Sequence, residues 1–204
     1  MPKSTNQKTV PVQARARETY ELLLTSAQEI LDELGFEALN SNIVCQRAEL
    51  TPPAFYRYFS DKYDILAILG NRLMDVQNAV LEAGDDSISF TRESFIKRSI
   101  AAQHATIAVT KEFMGAYPLL VSMRAIPELR PVRINSHDKM SAVVAAQLHA
   151  QGAQGGFTEL QAKCRLGIEM GYASLEMLFE TDFENQEMVI LGTANALFGI
   201  IDMA

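Results

Sequence analysis

Residues 40–59 read NSNIVCQRAELTPPAFYRYF, and this stretch carries two short helical patterns separated by a three-residue break. Asn40 is a typical N-cap for the first pattern, because its side chain can accept hydrogen bonds from the free amides of a first turn. Thr51 stands in the same place before the second pattern. Pro52 and Pro53 follow it, and proline is tolerated there because first-turn amides have no intrahelical partner. The sequence therefore predicts two short helices joined by a tight turn.

Two short helices joined in this way form a helix-turn-helix, in which the second helix enters the major groove of DNA. Phe55 and Phe59 are four residues apart and are predicted to face the core, which leaves the other side of that helix for DNA. Lys62 falls in the first turn of the next helix, where it can meet a phosphate together with that helix's free amides. The predicted DNA-binding residues are Asn40, Ser41, Thr51, Pro52, Pro53, Ala54, Tyr56, Arg57, Tyr58 and Lys62.

The rest of the chain has helical patterns separated by polar, proline or glycine breaks. From Tyr20 to Leu34 apolar residues recur at spacings of three and four, and Gly35 is placed to end this helix in a left-handed conformation. Asp61 is a suitable N-cap for a fourth helix. Further helices are predicted at 91–114, 118–127, 131–151, 157–180 and 185–203.

The predicted fold is all-α and has two domains. Residues 1–60 are expected to form an N-terminal arm and a three-helix helix-turn-helix domain that binds DNA. Residues 61–204 are expected to form a helical domain for effector binding and dimerisation.

Residues 17–66 resemble the N-terminal signature of the TetR family of repressors. The resemblance is carried by Gly35-Phe36 and by the run from Ala48 to Lys62, which reads AELTPPAFYRYFSDK. It implies a homodimer that represses transcription, with a ligand cavity in the C-terminal domain coupled to the spacing of the two DNA-binding helices.

The resemblance also implies individual roles. Thr51 would cap the second helix of the motif and touch a phosphate with its hydroxyl. Tyr56 and Tyr58 would contact the DNA backbone, and Lys62 would bind a phosphate.

Three positions depart from the family pattern. Glu49 stands where glycine is usual, at a turn position that prefers positive φ, so a side chain there costs roughly 1–2 kcal/mol. Pro52 replaces a common lysine or serine, and Pro53 replaces glycine. The two prolines present an apolar surface suited to contact with a thymine methyl group.

The second half of the sequence holds aromatic and methionine residues able to line an effector cavity, although such residues also fill helical cores. Two histidines are the polar groups most able to orient a ligand, but no acids at metal-ligand spacing accompany them. No metal, cofactor or catalytic residue is therefore predicted. The predicted effector-binding residues are Phe95, His104, Phe113, Met114, Tyr117, Met123, His137, Met140 and Met170. The expected effector is small and apolar or amphipathic.

The last two predicted helices are expected to form a four-helix interface with a second copy of the chain. The segment from Met188 to Met203 is apolar nearly all round, which indicates burial on more than one side. The predicted interface residues are Leu160, Ile168, Gly171, Leu175, Leu178, Phe179, Leu191, Ala194, Leu197, Phe198 and Ile201.

Charge and composition narrow the function classes. The formal net charge is −7, yet the only charged residues among the first 17 are Lys3, Lys8, Arg15 and Arg17, which is compatible with one DNA-facing end. No signal peptide is recognisable, and no apolar run reaches the ~20 residues of a spanning helix, so a cytoplasmic protein is expected.

The expected partners are double-stranded DNA with a palindromic operator, a second copy of the chain and a small-molecule effector, with no membrane partner. An enzyme is not expected, because a helical catalyst would need a nucleophile–base pair or a Glu-x-x-His ligand pattern, which the sequence lacks. The alternative is a helical ligand-binding module that has lost its affinity for DNA.

Overall fold

A computed structural model of the chain describes residues 11–83, 89–181 and 183–203. This part of the chain contains nine α-helices and no β-strand, which confirms the all-α prediction. The helices are α1 (Ala14–Ala38), α2 (Ser41–Arg47), α3 (Pro52–Tyr58), α4 (Lys62–Glu82), α5 (Arg92–Glu112), α6 (Ala116–Ala125), α7 (Arg130–Ala150), α8 (Phe157–Glu180) and α9 (Gln186–Ile201).

Helix α1 buries the apolar stripe that its sequence predicts, from Tyr20 through Leu23 and Ala27 to Ile30. Its regular geometry is interrupted at Gly35, whose φ is +77°. A side chain is strained at such a φ, so glycine is the residue that allows the chain to turn there toward α2. Gly35 therefore interrupts the helix with a positive φ, as predicted, but its ψ of 179° is not that of a left-handed cap, and α1 ends at Ala38.

The turn between α2 and α3 closes α2 with a Schellman arrangement. The amide of Leu50 donates to the carbonyl of Cys45 at 2.9 Å, and the amide of Glu49 donates to the carbonyl of Gln46 at 3.2 Å. Glu49 has a φ of +53° and is the one non-glycine residue with positive φ among the described residues. The left-handed turn predicted at Glu49 is therefore present, and this side chain occupies a conformation that favours glycine.

An aromatic cluster fixes α3 against α1. The ring of Phe59 stacks on Tyr20 with centroids 5.2 Å apart, and the ring of Tyr58 meets Tyr20 edge-on at 5.9 Å. Phe55 is fully buried beside Phe59. Each aromatic pair of this kind contributes about 0.5–1.5 kcal/mol beyond its area burial. The cluster determines which side of α3 turns inward.

Contacts divide the chain into two compact units. The first extends to Arg72 and includes Met114–Arg130, and the second consists of Leu73–Phe113 and Pro131–Ala204. The predicted functional boundary after residue 60 stays a prediction.

Helix α6 belongs to the first unit and packs on α1. Gln28 donates to the carbonyl of Met114 at 3.3 Å, and the amide of Gly115 donates to Asp32 at 3.1 Å. Gly115 has a φ of +71°, and a Cβ at this position would lie 3.1 Å from the carbonyl oxygen of Gln28. Glycine is required here both by the backbone conformation and by this close approach.

The second unit has an apolar core where α7, α8 and α9 meet, with Leu148, Leu160, Cys164 and Ile201 in one buried cluster. Helices α8 and α9 run antiparallel, since Gly167 lies beside Leu197 while Ser174 bonds to Thr193. Burial raises the pKa of the Cys164 thiol to about 12, so the thiol is neutral, and Cys45 is also buried and free.

A buried polar pair joins α7 to α8. His137 is 1% exposed, and its Nδ1 lies 3.1 Å from Oε1 of Glu169, which also accepts from Arg133 at 2.7 Å. Burial lowers the pKa of His137 to about 4, although the hydrogen bond to Glu169 acts in the opposite direction. The imidazole is therefore neutral in the folded protein near neutral pH.

We predict that Glu49→Gly raises the free energy of unfolding by about 1 kcal/mol. The substitution removes the roughly 1–2 kcal/mol cost of a left-handed L-residue, and the greater unfolded-state entropy of glycine offsets part of this gain. Urea denaturation monitored by circular dichroism measures the change. Glu49→Ala is the matched control, because it removes the same carboxylate without relieving the backbone. An equal gain in both variants would mean that charge, not φ, limits stability here.

We predict that the unfolding free energy is about 2 kcal/mol lower at pH 5.0 than at pH 7.5 because of His137. Its pKa is lower in the folded state than in the unfolded chain, so the unfolded chain takes up the proton first, and stability falls as the pH drops below about 6.5. Urea denaturation at both pH values and one protein concentration tests this. In His137→Gln the loss between the two pH values should shrink, whereas in His104→Gln, which changes a more exposed histidine, it should persist. A loss that is the same in all three proteins would contradict the assignment.

Candidate nucleic-acid interface and ligand cavity

The outward side of α3 is formed by Pro52, Pro53, Tyr56 and Arg57, which are all exposed. Tyr56 is 51% exposed, and its hydroxyl lies 3.0 Å from the hydroxyl of Ser41 on α2. This bond ties the two helices together on the side of the motif that faces away from the core. Two of the predicted DNA-binding residues are thus brought into contact.

The first helix of the motif begins as its sequence predicts. The side-chain oxygen of Asn40 accepts hydrogen bonds from the amides of Asn42 at 3.0 Å and Ile43 at 3.1 Å. Ser41 follows as the first residue of α2. The N-cap role of Asn40 is confirmed.

The N-cap at Thr51 differs from the expectation. Thr51 has the extended backbone of an N-cap, but its hydroxyl makes no capping hydrogen bond. The reason lies in the next residues: Pro53 has no amide hydrogen, and the amide of Ala54 donates to the backbone carbonyl of Thr51 at 2.9 Å. The exposed hydroxyl of Thr51 is therefore not used to cap α3.

Tyr58 corrects a second expectation. It was predicted to face DNA with Tyr56, but it is 8% exposed and packs against Tyr20 and Phe59. Residues three and four apart lie on the same side of a helix, so Tyr58 and Phe59 are on the buried side with Phe55. The outward side of α3 is narrower than predicted.

Lys62 lies at the start of α4, where Asp61 acts as the N-cap. Asp61 accepts hydrogen bonds from the amides of Tyr63 at 2.9 Å and Asp64 at 3.0 Å. These amides were expected to be free to bind a phosphate, and they are not. The ammonium of Lys62 lies 4.0 Å from the centroid of the Phe36 ring, within cation–π distance. Lys62 itself is the group at this helix end that can meet a phosphate.

A small cleft of about 170 Å³ lies beside α3 and brings basic residues of two helices together. Arg15 and Thr19 of α1 line it with Arg57 of α3. Arg15 is one of the four basic residues at the start of the chain that were predicted to mark a DNA-facing end; Lys3 and Lys8 lie outside the described residues. The i, i+4 spacing of Arg15 and Thr19 was the signal that they share one side of a helix.

Arg47 of α2 is not part of this basic surface. It binds Glu33 in a bidentate arrangement with distances of 2.9 and 2.7 Å, and Glu29 lies 3.5 Å away. The bond to Arg47 holds the pKa of Glu33 below its usual range. The cations left for a polyanion are those beside α3 and at the start of α4.

The second unit contains a cavity of about 470 Å³ between α4, α5, α7, α8 and α9. Its walls are mainly aliphatic, and the polar residues in them are Gln77, Arg98, Ser99, Gln103, Thr106, Gln147, Tyr172 and Ser174. A cavity of this size and composition is typical of a site for a small organic ligand.

Hydrogen bonds within the protein occupy one end of this cavity. The hydroxyl of Tyr172 donates to Gln77 at 2.9 Å, and Gln77 donates to Thr110 at 2.7 Å. Burial raises the pKa of Tyr172, so its hydroxyl stays protonated as a donor.

Of the nine residues predicted to bind an effector, Phe95 lines this cavity. Met114, Tyr117 and Met123 belong to the first unit. His137 and Met140 are buried in the core of the second unit, and His104 lies 3.3 Å from Glu187. Phe113 and Met170 are also in the second unit but do not line the cavity.

Small residues that were not predicted to contact an effector line the cavity instead. Ala101, Ala102 and Ala105 on α5 line it together with Gly171 on α8. A Cβ added at Gly171 would meet no atom within 4 Å. A run of small residues on one helix opposite glycines on another was the available signal.

Most of the predicted dimer-interface residues face inward within the chain, which corrects that prediction. Leu160, Leu175, Ala194 and Ile201 are buried in the second unit. Ile168, Gly171, Leu178 and Leu197 line the cavity. Phe198 stacks on Phe90 with centroids 6.0 Å apart, and Phe179 is half-buried. Leu191 alone among these predicted interface residues is exposed, with 50% of its surface accessible.

The outward side of α8 and α9 is nevertheless apolar and is formed by other residues. We call this surface the outer α8–α9 stripe. Its large members are Leu166, Met177, Met188, Leu191 and Met203. The small exposed residues between them are Ala162, Ala173, Gly192, Ala196 and Gly199.

Within residues 11–83, 89–181 and 183–203, no helix is both long and apolar enough to cross a membrane. No group of three or more His, Cys, Asp or Glu side chains in these ranges is arranged to hold a metal ion.

Comparisons with known proteins agree with this geometry. Residues 23–68 match the family described as "Bacterial regulatory proteins, tetR family". No curated protein matches the sequence.

Solved structures with a similar fold cover nearly the whole chain. Salmonella enterica GusR superposes with a TM-score of 0.70 at 16% identity, over 97% of this chain and 100% of that one. A TetR-family transcriptional regulator from Streptomyces coelicolor gives a TM-score of 0.56 at 17% identity, over 90% of this chain and 97% of its own. A transcriptional regulator from Rhodococcus sp. Rha1 gives 0.61 at 17% identity, over 89% and 94%.

At these identities the structures establish the fold, and the family match covers the segment that contains α2 and α3. Residues 23–68 are therefore a TetR-family N-terminal domain, and the chain has the fold of TetR-family transcriptional regulators.

Proposed function

We propose that this protein is a homodimeric DNA-binding repressor that is released from a palindromic operator by a small apolar or amphipathic ligand. The observation that carries the proposal is the outward side of α3, which contains Tyr56 and Arg57 and no acidic residue. The reverse turn at Glu49 and the bond from Ser41 to Tyr56 hold this side of the helix away from the core.

The polar groups around α3 fit a division between base and phosphate contacts. Pro52 and Pro53 form the exposed N-terminal end of the helix, the part that reaches base edges in a helix-turn-helix. Tyr56 is exposed one turn later and suits the DNA backbone. Arg57 and Lys62 are cations at the C-terminal end of α3 and the start of α4, where they suit phosphates. Thr51 can donate its hydroxyl to a phosphate because that hydroxyl does not cap α3.

The outer α8–α9 stripe supports a dimer. Exposed large apolar residues that recur along two packed helices are typical of an interface. Gly192 and Gly199 have open space where a Cβ would stand, which allows the helices of a second copy to approach closely. Two copies related by a two-fold axis would present two α3 helices about 34–36 Å apart, so we expect a palindromic operator.

The cavity supports control by a ligand. Helix α4 provides Lys62 in its first turn and Gln77 and Leu81 to the cavity wall, so a ligand that moves the later turns of α4 acts on the helix that also carries a phosphate contact. Coupling of this kind between two sites is typically worth ~1–3 kcal/mol. Such a regulator acts in the cytoplasm, where bacterial DNA lies, and needs no catalytic group.

We predict that Arg57→Gln and Lys62→Gln each weaken DNA binding, because each removes one cation near a phosphate. The slope of log K against log salt should fall by about one per lost contact. The operator is first selected from a random duplex library with the purified protein, and binding is then measured by fluorescence anisotropy at several salt concentrations. Lys97→Gln is the matched control, since Lys97 lies on α5 in the second unit.

Two results would contradict the DNA-binding proposal. One is that no sequence is enriched and no salt-dependent binding is seen, which would favour a ligand-binding module without DNA affinity. The other is that all three variants bind like the unaltered protein. An enriched sequence without two-fold symmetry would contradict the palindromic operator alone.

We predict that Leu191→Glu and Leu166→Glu convert the dimer to monomers in sedimentation velocity. Each would place a carboxylate in the centre of the outer α8–α9 stripe, where burial of an unpaired charge is unfavourable. Val76→Glu is the control, because Val76 is also an exposed apolar residue, at 41%, but lies on α4. A dimer that survives both stripe substitutions would show that the subunits meet elsewhere.

A further inference from the structure

We propose that the ligand of the cavity is an aliphatic carboxylate of medium chain length, with its carboxylate bound by Arg98. This inference deepens the proposed function, because it names the chemical class of the effector. It rests on the charge, the hydrogen bonds and the dimensions of the cavity.

Arg98 is the one charged residue in the cavity wall among the residues that the structure describes. The wall contains no aspartate, glutamate, lysine or histidine in that part of the chain. Arg98 also forms no ion pair or hydrogen bond through its side chain to another described residue. An arginine that lines a mainly aliphatic wall without an acid favours a ligand that brings its own negative charge.

Five of the other polar residues of the wall are already bonded within the protein through their side chains. Gln77 and Tyr172 bond to each other, and Ser174 lies 2.8 Å from the hydroxyl of Thr193. Gln103 donates to the carbonyl of Ile190 at 3.2 Å, and Gln147 donates to the carbonyl of Leu81 at 3.3 Å. A ligand with many hydroxyl groups would find few free partners, so the rest of the ligand is apolar.

The position of Arg98 makes the site directional. Arg98 and Thr106 are eight residues apart on α5 and both line the cavity, which corresponds to about 12 Å along the helix. Between them α5 contributes three alanines to the wall, together with Ser99 and Gln103, and α8 contributes Gly171. A molecule bound at Arg98 by its head therefore extends its tail along the small residues toward the bonded pair of Gln77 and Tyr172.

The volume bounds the size of the ligand. A cavity of about 470 Å³ falls in the lower half of the roughly 300–1,000 Å³ range of small-molecule sites. A carboxylate of medium chain length, about ten carbons, suits a site of this size class. The planar guanidinium matches a carboxylate with two parallel hydrogen bonds, which favours a carboxylate over a neutral or cationic head.

The test measures binding of decanoate, decanol and decylammonium to the full-length protein by isothermal titration calorimetry. We expect decanoate to bind at least tenfold more tightly than decanol, since a charge-assisted hydrogen bond is worth that much, and decylammonium to bind weakest. Arg98→Gln should reduce decanoate affinity tenfold or more and leave decanol unchanged. Lys97→Gln is the matched control, because it removes the neighbouring charge on α5 from outside the cavity, and it should have no effect.

Gly171→Leu should fill the cavity and weaken both decanoate and decanol, with Ala102→Leu as a second variant if the first does not fold by circular dichroism. The proposal is overturned if folded protein does not bind decanoate, if decanol binds as well as decanoate, or if Arg98→Gln leaves decanoate affinity unchanged. DNA binding is measured without any ligand, so failure of the effector class leaves that result intact. Failure of DNA binding with decanoate still bound would remove the regulator proposal and keep the site.

Discussion

The reverse bend at Glu49 is the constraint on which the DNA-facing surface depends. Its left-handed conformation allows Leu50 to bond back to Cys45, which ends α2 and turns the chain so that α3 begins at Pro52. Once α3 starts there, helical periodicity leaves Tyr56 and Arg57 outside while Phe55 packs in the core. The bend is maintained by an L-residue in a strained region, so surrounding contacts, chiefly the aromatic packing on Tyr20, stabilise it.

The helices could be predicted from the sequence because caps and apolar spacing are local signals. Asn40 and Asp61 both accept the first-turn hydrogen bonds expected of them, and Gly35 has the positive φ expected at the end of the first helix. Tyr58 was assigned to DNA because the family resemblance implies a backbone contact at this position, while its three-residue spacing from Phe55 indicated burial. The residue type at position 58 and the helical spacing from Phe55 gave different predictions for α3. The spacing was correct, because only one side of a short helix can pack against the core.

The residues that line the cavity could not be predicted, because empty space is a property of several helices together. Large side chains such as Met123 and Met140 attracted attention as ligand contacts, yet both fill the core. The cavity lies where side chains are small, as at Ala102 and Gly171, and where four other helices meet α5. The same limit explains the dimer prediction: a helix that is apolar on two sides was recognised in α9, but the sequence does not say which side packs within its own chain.

Helices α8 and α9 each have two distinct sides, and this connects the two proposals for the second unit. Gly171 and Leu197 line the cavity on their inner sides, while Leu166 and Leu191 are exposed on their outer sides. A ligand that fills the cavity therefore acts on the helices that carry the proposed dimer surface as well as on α4. Packed helices move as units because close-packed interiors resist local deformation. The separation of two α3 helices in the proposed dimer would then respond to the ligand both through α4 and through the contact between subunits.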